Sequence, residues 1–490
     1  MNYPVEEVFR TEGVPQFTFI KPPNFNEILV DLRNPGKPVI IEGQSGTGKT
    51  TTIKKIIELN LGSSSFDYLS ARKSNDMSKI IDISKGKMIG NFVIDDFHRL
   101  NPDIQEDIAN LIKIAAEEYD NSKYPKIVII GINKVGSELI HLVHDIAKRC
   151  GIHRIKPADQ KSILLLIENG ELKLNIAIDE KNLIFEETKG DYWLTQMICQ
   201  TICLMNDVTD SLSNHQSLNY TIHDLRKKVT ERLENNYNET VKEFCRGRRF
   251  RSTNDPYFKL LKCISEQPAS IVDLTELANT NPDVSGSINN IKESRLKILL
   301  DSKPICERYF YYNPETKLFA IEDPALFYYI KYLNWDELRK SCGFRETTDK
   351  FEFDYAISFA GENRELAKIL AHQIESLDCI VFFDEFFEAN YLGKAWHSKF
   401  KDIFRDKSRY IICLLDNHHL EKIWPTFERE CFLPRISDEA VIPIYLDDSI
   451  FPGIPRDTVG INFDASIKTN LHNRVTDEIL FKLIDKLDKT

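Results

Sequence analysis

No apolar run in this chain is long enough to span a bilayer. The opening MNYPVEEVFRTEG also lacks the basic start and apolar centre of a secretory signal. Paired cysteine spacing is missing too. Ten cysteines are scattered through 490 residues without a CxxC pair, the usage of a reduced intracellular protein rather than a cross-linked secreted one. Cys199 and Cys203 stand four apart on an expected helix, but no histidine pair stands nearby to complete a zinc set, so they read as core thiols. Positive charge is not in excess: 64 Lys and Arg against 75 Asp and Glu leave a net charge of −11. That balance argues against general affinity for nucleic acid or an anionic membrane. Neither a solenoid-period repeat nor a low-complexity tract occurs. The expectation is a cytoplasmic globular protein of several domains, with 42% apolar and 28% charged residues.

Glycine is sparse, 20 in all, yet three fall close together in KPVIIEGQSGTGKTTT, residues 37–52. Gly43, Gly46, Gly48, Lys49 and Thr50 fit GxxxxGK[ST], after the apolar Val39, Ile40 and Ile41 and before a helical pattern. Glycines permit the tight turn that aims backbone N–H groups at a phosphate chain, and the following helix adds the positive end of its dipole. The expected ATP ligands are Gly43, Ser45, Gly46, Thr47, Gly48, Lys49, Thr50 and Thr51. Lys49 would neutralise the β- and γ-phosphates, and Thr50 would hold Mg²⁺. Some 45 residues on, Phe92, Val93 and Ile94 read as a buried strand ending in Asp95 and Asp96. An acidic pair there completes a Walker-type site: Asp95 for Mg²⁺, Asp96 to orient water.

Residues 1–36 form a proline-punctuated entry segment expected beside the nucleotide base. Further strands are expected at residues 65–71, at KIVIIGINKVG from Lys126 to Asn133, and at GIHRIKP. These motifs resemble the AAA+ and STAND ATPases. That resemblance implies a polar sensor at Asn133, an arginine reaching a nucleotide at Arg149 with Arg154 as its rival, and a helical lid over residues 158–250. The lid of such proteins carries Gly-x-Pro where this chain reads Gly190, Asp191, Tyr192. The basic run FCRGRRFR, Phe244 to Arg251, reads as a solvated linker or a contact to an acidic neighbouring domain rather than a DNA site. Residues 251–340 show helix (YFKLLKCISEQ), helix (VDLTELANT), helix (DVSGSINNIKESRLKILL), two short strands and an aromatic helix, an order that looks like a winged helix. With residues 1–157 as the P-loop domain, the fold class is multidomain α/β.

After the polar SCGFRETTDK a new pattern begins: a buried strand, an amphipathic helix, a second buried strand ending at Asp384, then RYIICLLD and AVIPIYLD. This is a small parallel α/β domain. DYAISFAGENREL, VFFDEF, GKAW and IWPTFERE together make residues 351–490 resemble a Toll/interleukin receptor (TIR) domain of the bacterial kind, with flavodoxin-like topology. Many TIR domains cleave NAD⁺, using a glutamate four residues after a tryptophan. Here that places Trp424 and Glu428. The resemblance further implies NAD⁺ contacts from Phe359, Ala360, Asp384, Lys394 and Trp396, with Tyr391 or Phe387 as other stacking candidates. The domain order resembles STAND immune proteins. It implies an ATP-controlled, self-assembling NAD⁺-cleaving effector of antiviral defence, answering a phage-derived or protein trigger, with neither membrane nor nucleic acid as partner. The alternative is a regulatory STAND ATPase whose TIR is a non-catalytic binding scaffold.

Overall fold

The computed structural model describes residues 2–35, 37–62, 65–118, 123–132, 150–252, 254–293, 295–345, 351–387, 400–423, 427–455 and 458–488. The first sheet is built from β1 (Val39–Gly43), β2 (Asp67–Ser70), β3 (Asn91–Asp95), β4 (Lys126–Ile132) and β5 (Gly151–Arg154). Its order is β2-β3-β4-β1-β5, and every pairing is parallel. All of β1 is buried, as is β3 after Asn91. Continuous apolar runs behave this way when helices cover both faces of a parallel sheet. Because β4 lies between β1 and β3, the carboxyl ends of the phosphate-loop strand and the acidic strand flank a third strand end at Ile132. Asn133, the expected sensor, lies outside the described residues, as does Arg149.

The entry segment is part of the core. Val5, Val8 and Phe9 are buried with the helices Gln160–Leu174 and Tyr192–Met205, in the region expected as a lid. A short parallel pair, β6 (Ile176–Ile178) with β7 (Gln216–Leu218), and the long helix Ile222–Arg246 complete this layer. Asp159, Asp191 and Thr221 cap three of its helices with their side chains, each satisfying backbone N–H groups the helix leaves open.

Residues 256–342 carry helices around a three-stranded antiparallel sheet, β8 (Ile271–Asp273), β10 (Leu318–Ile321) and β9 (Phe310–Asn313), in the order β8-β10-β9. Two details depart from expectation. Val272 and Asp273 belong to a strand, with Asp273 capping the helix Leu274–Thr280. The expected third helix is two, Pro282–Lys292 and Arg295–Ser302.

The C-terminal sheet is formed by β11 (Phe353–Ser358), β12 (Val381–Phe382), β13 (Ser408–Leu415), β14 (Val441–Tyr445) and β15 (Ile461–Asn462). Its order β12-β11-β13-β14-β15, parallel throughout, is the flavodoxin-like 2-1-3-4-5. The chain leaves β11 for one neighbour and returns to the other, so the crevice where ligands bind in such folds opens at the carboxyl ends of β11 and β13. The second strand stops short of Asp384. That residue starts a helical turn, Asp384–Phe387, because its carboxylate accepts from the Glu385 backbone N–H and from Arg364.

Candidate functional site

The phosphate loop takes the shape its glycines allow. Gly46 and Gly48 lie at φ 74° and 85°, a region that costs other residues about 1–2 kcal/mol. Lys49, the first residue of the helix Lys49–Ile56, folds back so that Nζ donates to the carbonyls of Gly43 (2.9 Å) and Gln44 (2.6 Å). Burial lowers its pKa to about 8, against the opposing pull of Asp95, Asp96 and Asp191. A buried ammonium clasped by its own loop is poised for a polyanion, whose charge would return what burial removes.

Thr50 Oγ1 donates to Asp95 Oδ2 at 2.8 Å, and the Tyr68 hydroxyl donates to the same oxygen. One hydroxyl and one carboxylate side by side are hard oxygen donors suited to Mg²⁺, which takes few protein ligands beside phosphates and water. Among the described residues no group of three or more His, Cys, Asp or Glu side chains could hold a metal ion unaided. Asp96 follows in the left-handed conformation, φ 59°. It accepts from Arg72 Nη2 (2.7 Å) and Ser70 Oγ (3.2 Å). Arg99 is held below its usual pKa, first by burial and then by the charges of Arg72 and Arg308. Arg308 belongs to the region resembling a winged helix, so that region comes near Arg99 and Arg72.

The helix Tyr192–Met205 meets the loop through its cap, Asp191. A Cβ added to Gly46 would stand 1.6 Å from Asp191 Oδ2. Asp191 is buried; burial raises its pKa to about 7, Asp323 adds to the rise, and the Leu194 N–H (2.6 Å) and Lys49 oppose it. One carboxyl therefore faces the phosphate loop on one side and, through Asp323, the helix Pro324–Tyr332 on the other. The entry segment supplies the remaining wall. Trp193 Nε1 donates to Thr11 O and Gln196 Nε2 to Thr18 Oγ1. A cavity of about 240 Å³ runs from Lys49, Thr50, Asp95 and Asp96 to Phe19 and Trp193. Arg154 pairs with Glu42, Nη2 to Oε1 2.8 Å. Arg72, Asp191 and Trp193 were not among the expected ligands. Gly190 to Tyr192 had signalled the lid, but no local signal marks Arg72.

At the crevice of the C-terminal domain, Phe359 lies between the Phe383 ring (centroids 5.6 Å apart) and the Arg364 guanidinium (5.3 Å). Arg364 in turn grips Asp384 through two bonds, 3.1 and 2.7 Å. Ala360 is fully buried. Glu428 lies in the helical stretch Glu428–Phe432, which follows a helical Phe427 and runs on into Leu433–Ser437. The side chains of Glu428 and Phe387, and the whole of Tyr391, Lys394, Trp396 and Trp424, lie outside the described residues.

The basic run finds acids. Arg251 Nη1 meets Asp354 Oδ1 at 2.5 Å and Nη2 meets Asp378 O at 3.4 Å. Asp378 also accepts from the Tyr257 hydroxyl (2.9 Å) and the Arg248 N–H (3.2 Å). Burial would lower the Arg251 pKa, but Asp354 outweighs it and raises it. Both acids sit at the amino ends of β11 and β12, opposite the crevice.

No protein-family model matches the chain. The 3′ cyclic ADP-D-ribose synthase AaTIR of Aquimarina amphilecti is 33% identical over 142 residues, 28% of this chain and 41% of that protein. The chain thus spans about two-fifths of that relative's length. Among solved structures, Cdc6p from Pyrobaculum aerophilum is 17% identical, covering 69% of this chain and 98% of that one, TM-score 0.34. The Walker-type ATPase PABY2304 of Pyrococcus abyssi is 12% identical, covering 66% and 99%, TM-score 0.39. The ORC2 protein of Aeropyrum pernix is 13% identical, covering 69% and 96%, TM-score 0.37. These superpositions are loose, and the phosphate loop rests on its own geometry. The first sheet and its loop have the form of a P-loop nucleotide-binding fold, and 142 residues of the chain are similar to a TIR protein. No helix among the described residues is long and apolar enough to cross a membrane.

Proposed function

We propose that the chain is a cytoplasmic, ATP-controlled, self-assembling effector whose TIR domain cleaves NAD⁺. NAD⁺ loss would then arrest an infected cell before phage spreads. One observation carries the reading: a phosphate-loop site with its acidic pair and a flavodoxin-like domain share one chain, 142 residues of which are 33% identical to a TIR protein. In this reading the backbone of Gly43 to Gly48, with Ser45, Thr47 and Thr51, cradles the phosphates of ATP. Lys49 neutralises them. Thr50 and Asp95 would hold Mg²⁺, which would supply charge neutralisation of the phosphates, while Asp96 orients the attacking water. Asn133 and Arg149 are proposed as sensor and arginine finger.

Phosphate binding displaces the Asp191 carboxyl from Gly46, and Asp323 transmits that shift to the region resembling a winged helix. Copies then assemble through their ATPase and TIR domains. At the TIR crevice, the bond from ribose C1′ to the pyridinium nitrogen breaks and its electron pair stays on that nitrogen, so nicotinamide leaves as a neutral molecule and no general acid is required. Water, or a nucleophile within the same ADP-ribosyl group, then takes up the ribosyl cation. A single carboxylate, Glu428, holds the ribose hydroxyls and stabilises the oxocarbenium-like transition state. Phe359, Ala360, Asp384, Lys394, Trp396 and Trp424 are proposed to position the dinucleotide.

The test is nicotinamide release by purified protein given ATP, Mg²⁺ and NAD⁺. Wild type should release it and Glu428→Ala should not. Equal release by both removes the assigned chemistry, while a wild type that binds ATP and assembles but never consumes NAD⁺ favours a TIR scaffold.

A further inference from the structure

One buried histidine stands between the two walls of the TIR crevice. His419 lies on the helix Asn417–Lys422, which follows β13 and leads toward Glu428. Its side chain is wholly buried, and Nε2 lies 3.0 Å from Ser358 Oγ, at the end of β11. Its ring packs 6.3 Å from the Phe432 ring and 5.9 Å from that of Phe451. Ser358 immediately precedes Phe359 and Ala360; Phe432 lies four residues after Glu428 in the same helical stretch. So the imidazole touches the base of one wall and the Glu428 helix of the other.

Two further contacts brace the same pair of elements. Asn363 Nδ2 donates to Asp416 Oδ2 at 2.8 Å, while Asp416 Oδ1 accepts from the His419 N–H at 2.8 Å and caps its helix. Lys422 pairs with Glu362. These outer contacts are more exposed and involve flexible or charged groups, whereas the Ser358–His419 bond is dry and leaves little freedom. Burial, against Asp416, lowers the His419 pKa to about 4. The imidazole therefore stays neutral at physiological pH and the bond persists there.

From this geometry we infer that His419 is a positioning residue for NAD⁺ cleavage: through Ser358 it sets the loop that receives the dinucleotide, and through Phe432 it fixes that loop's distance from Glu428. The inference rests on the proposed NAD⁺-cleaving activity. His419 touches no substrate. Removing only its hydrogen bond frees the loop but leaves the Phe432 packing, so substrate binding suffers before chemistry does. Removing the ring loosens the glutamate helix as well.

Steady-state NAD⁺ cleavage by the full chain with ATP separates these effects, using His419→Phe, His419→Gln, Ser358→Ala and His419→Ala, each checked for an unchanged melting profile. His419→Phe and Ser358→Ala should raise KM about tenfold, the equivalent of one lost hydrogen bond, with kcat within about twofold. Gln, which can still bond Ser358, should restore KM in large part. His419→Ala should lower kcat as well. Unchanged KM in both His419→Phe and Ser358→Ala, or equal damage to kcat and KM in all four, overturns the positioning role. Should wild type release no nicotinamide at all, the NAD⁺-cleaving reading fails instead, and that outcome is distinguishable because no variant is then needed.

Discussion

Arg251→Ala should loosen the seat of the TIR domain without touching either nucleotide site. The Arg251 side chain is 13% exposed and that of Asp354 5%. Removing one partner of a buried pair costs about 3–5 kcal/mol, because the other charge is stranded. The structure places the cost near the lower end. Asp354 Oδ2 still accepts the Ile380 N–H at 2.6 Å, and Asp378 keeps Tyr257 and Arg248. A loss of about 3 kcal/mol corresponds to a factor of roughly 150 in the opening equilibrium.

Hydrogen exchange reads that opening locally. The Asp354 amide donates to Ile380 O and the Ile380 amide to Asp354 Oδ2, so a peptide spanning Cys379 to Phe382 should exchange about a hundredfold faster in the variant. Arg251→Lys should fall between, since an ammonium cannot span both Asp354 and the Asp378 carbonyl as a fork. Protection within about twofold of wild type would refute the buried-charge argument.

Gly46→Ala should abolish nucleotide binding while leaving the fold intact by circular dichroism. The left-handed backbone costs about 1–2 kcal/mol, and the added methyl would overlap Asp191. Affinity within about twofold of wild type would mean that the loop and lid contact is not as tight as drawn. Affinity for ADP should fall as pH rises from 6 to 9. Asp191, near 7, gains negative charge beside the loop, and Lys49, near 8, loses its positive charge; the complex therefore holds more protons than the free protein. Asp191→Asn should keep only the limb near pH 8, and a flat calorimetric profile in wild type would remove both assignments.

What could be read from the residues alone was whatever short-range spacing records. Gly43 to Thr50 announces a phosphate loop because the turn, the lysine and the helix start must be contiguous. The buried runs of β1, β3, β11 and β13 announce parallel sheets because both faces are covered. β15, only Ile461 and Asn462, is too short to show a period. β6, β7 and β8, three residues each, escape for the same reason. Contacts over long separations were illegible: Arg72 with Asp96, Gly46 with Asp191, Ser358 with His419. The basic run could be narrowed only to linker or acidic contact, since the charge of Arg251 says nothing of where Asp354 will lie. Glu428 is marked by its spacing from Trp424, whereas His419 carries no pattern.

The central claim is that ATP sets the TIR domain to work by bringing copies together. Its most direct measurement is a titration of the purified chain with ATP at fixed NAD⁺, following particle mass by light scattering and nicotinamide release in the same sample. The account predicts that both rise with one midpoint and that Lys49→Ala shows neither. Nicotinamide release by a monomer, or release in Lys49→Ala equal to wild type, would contradict it.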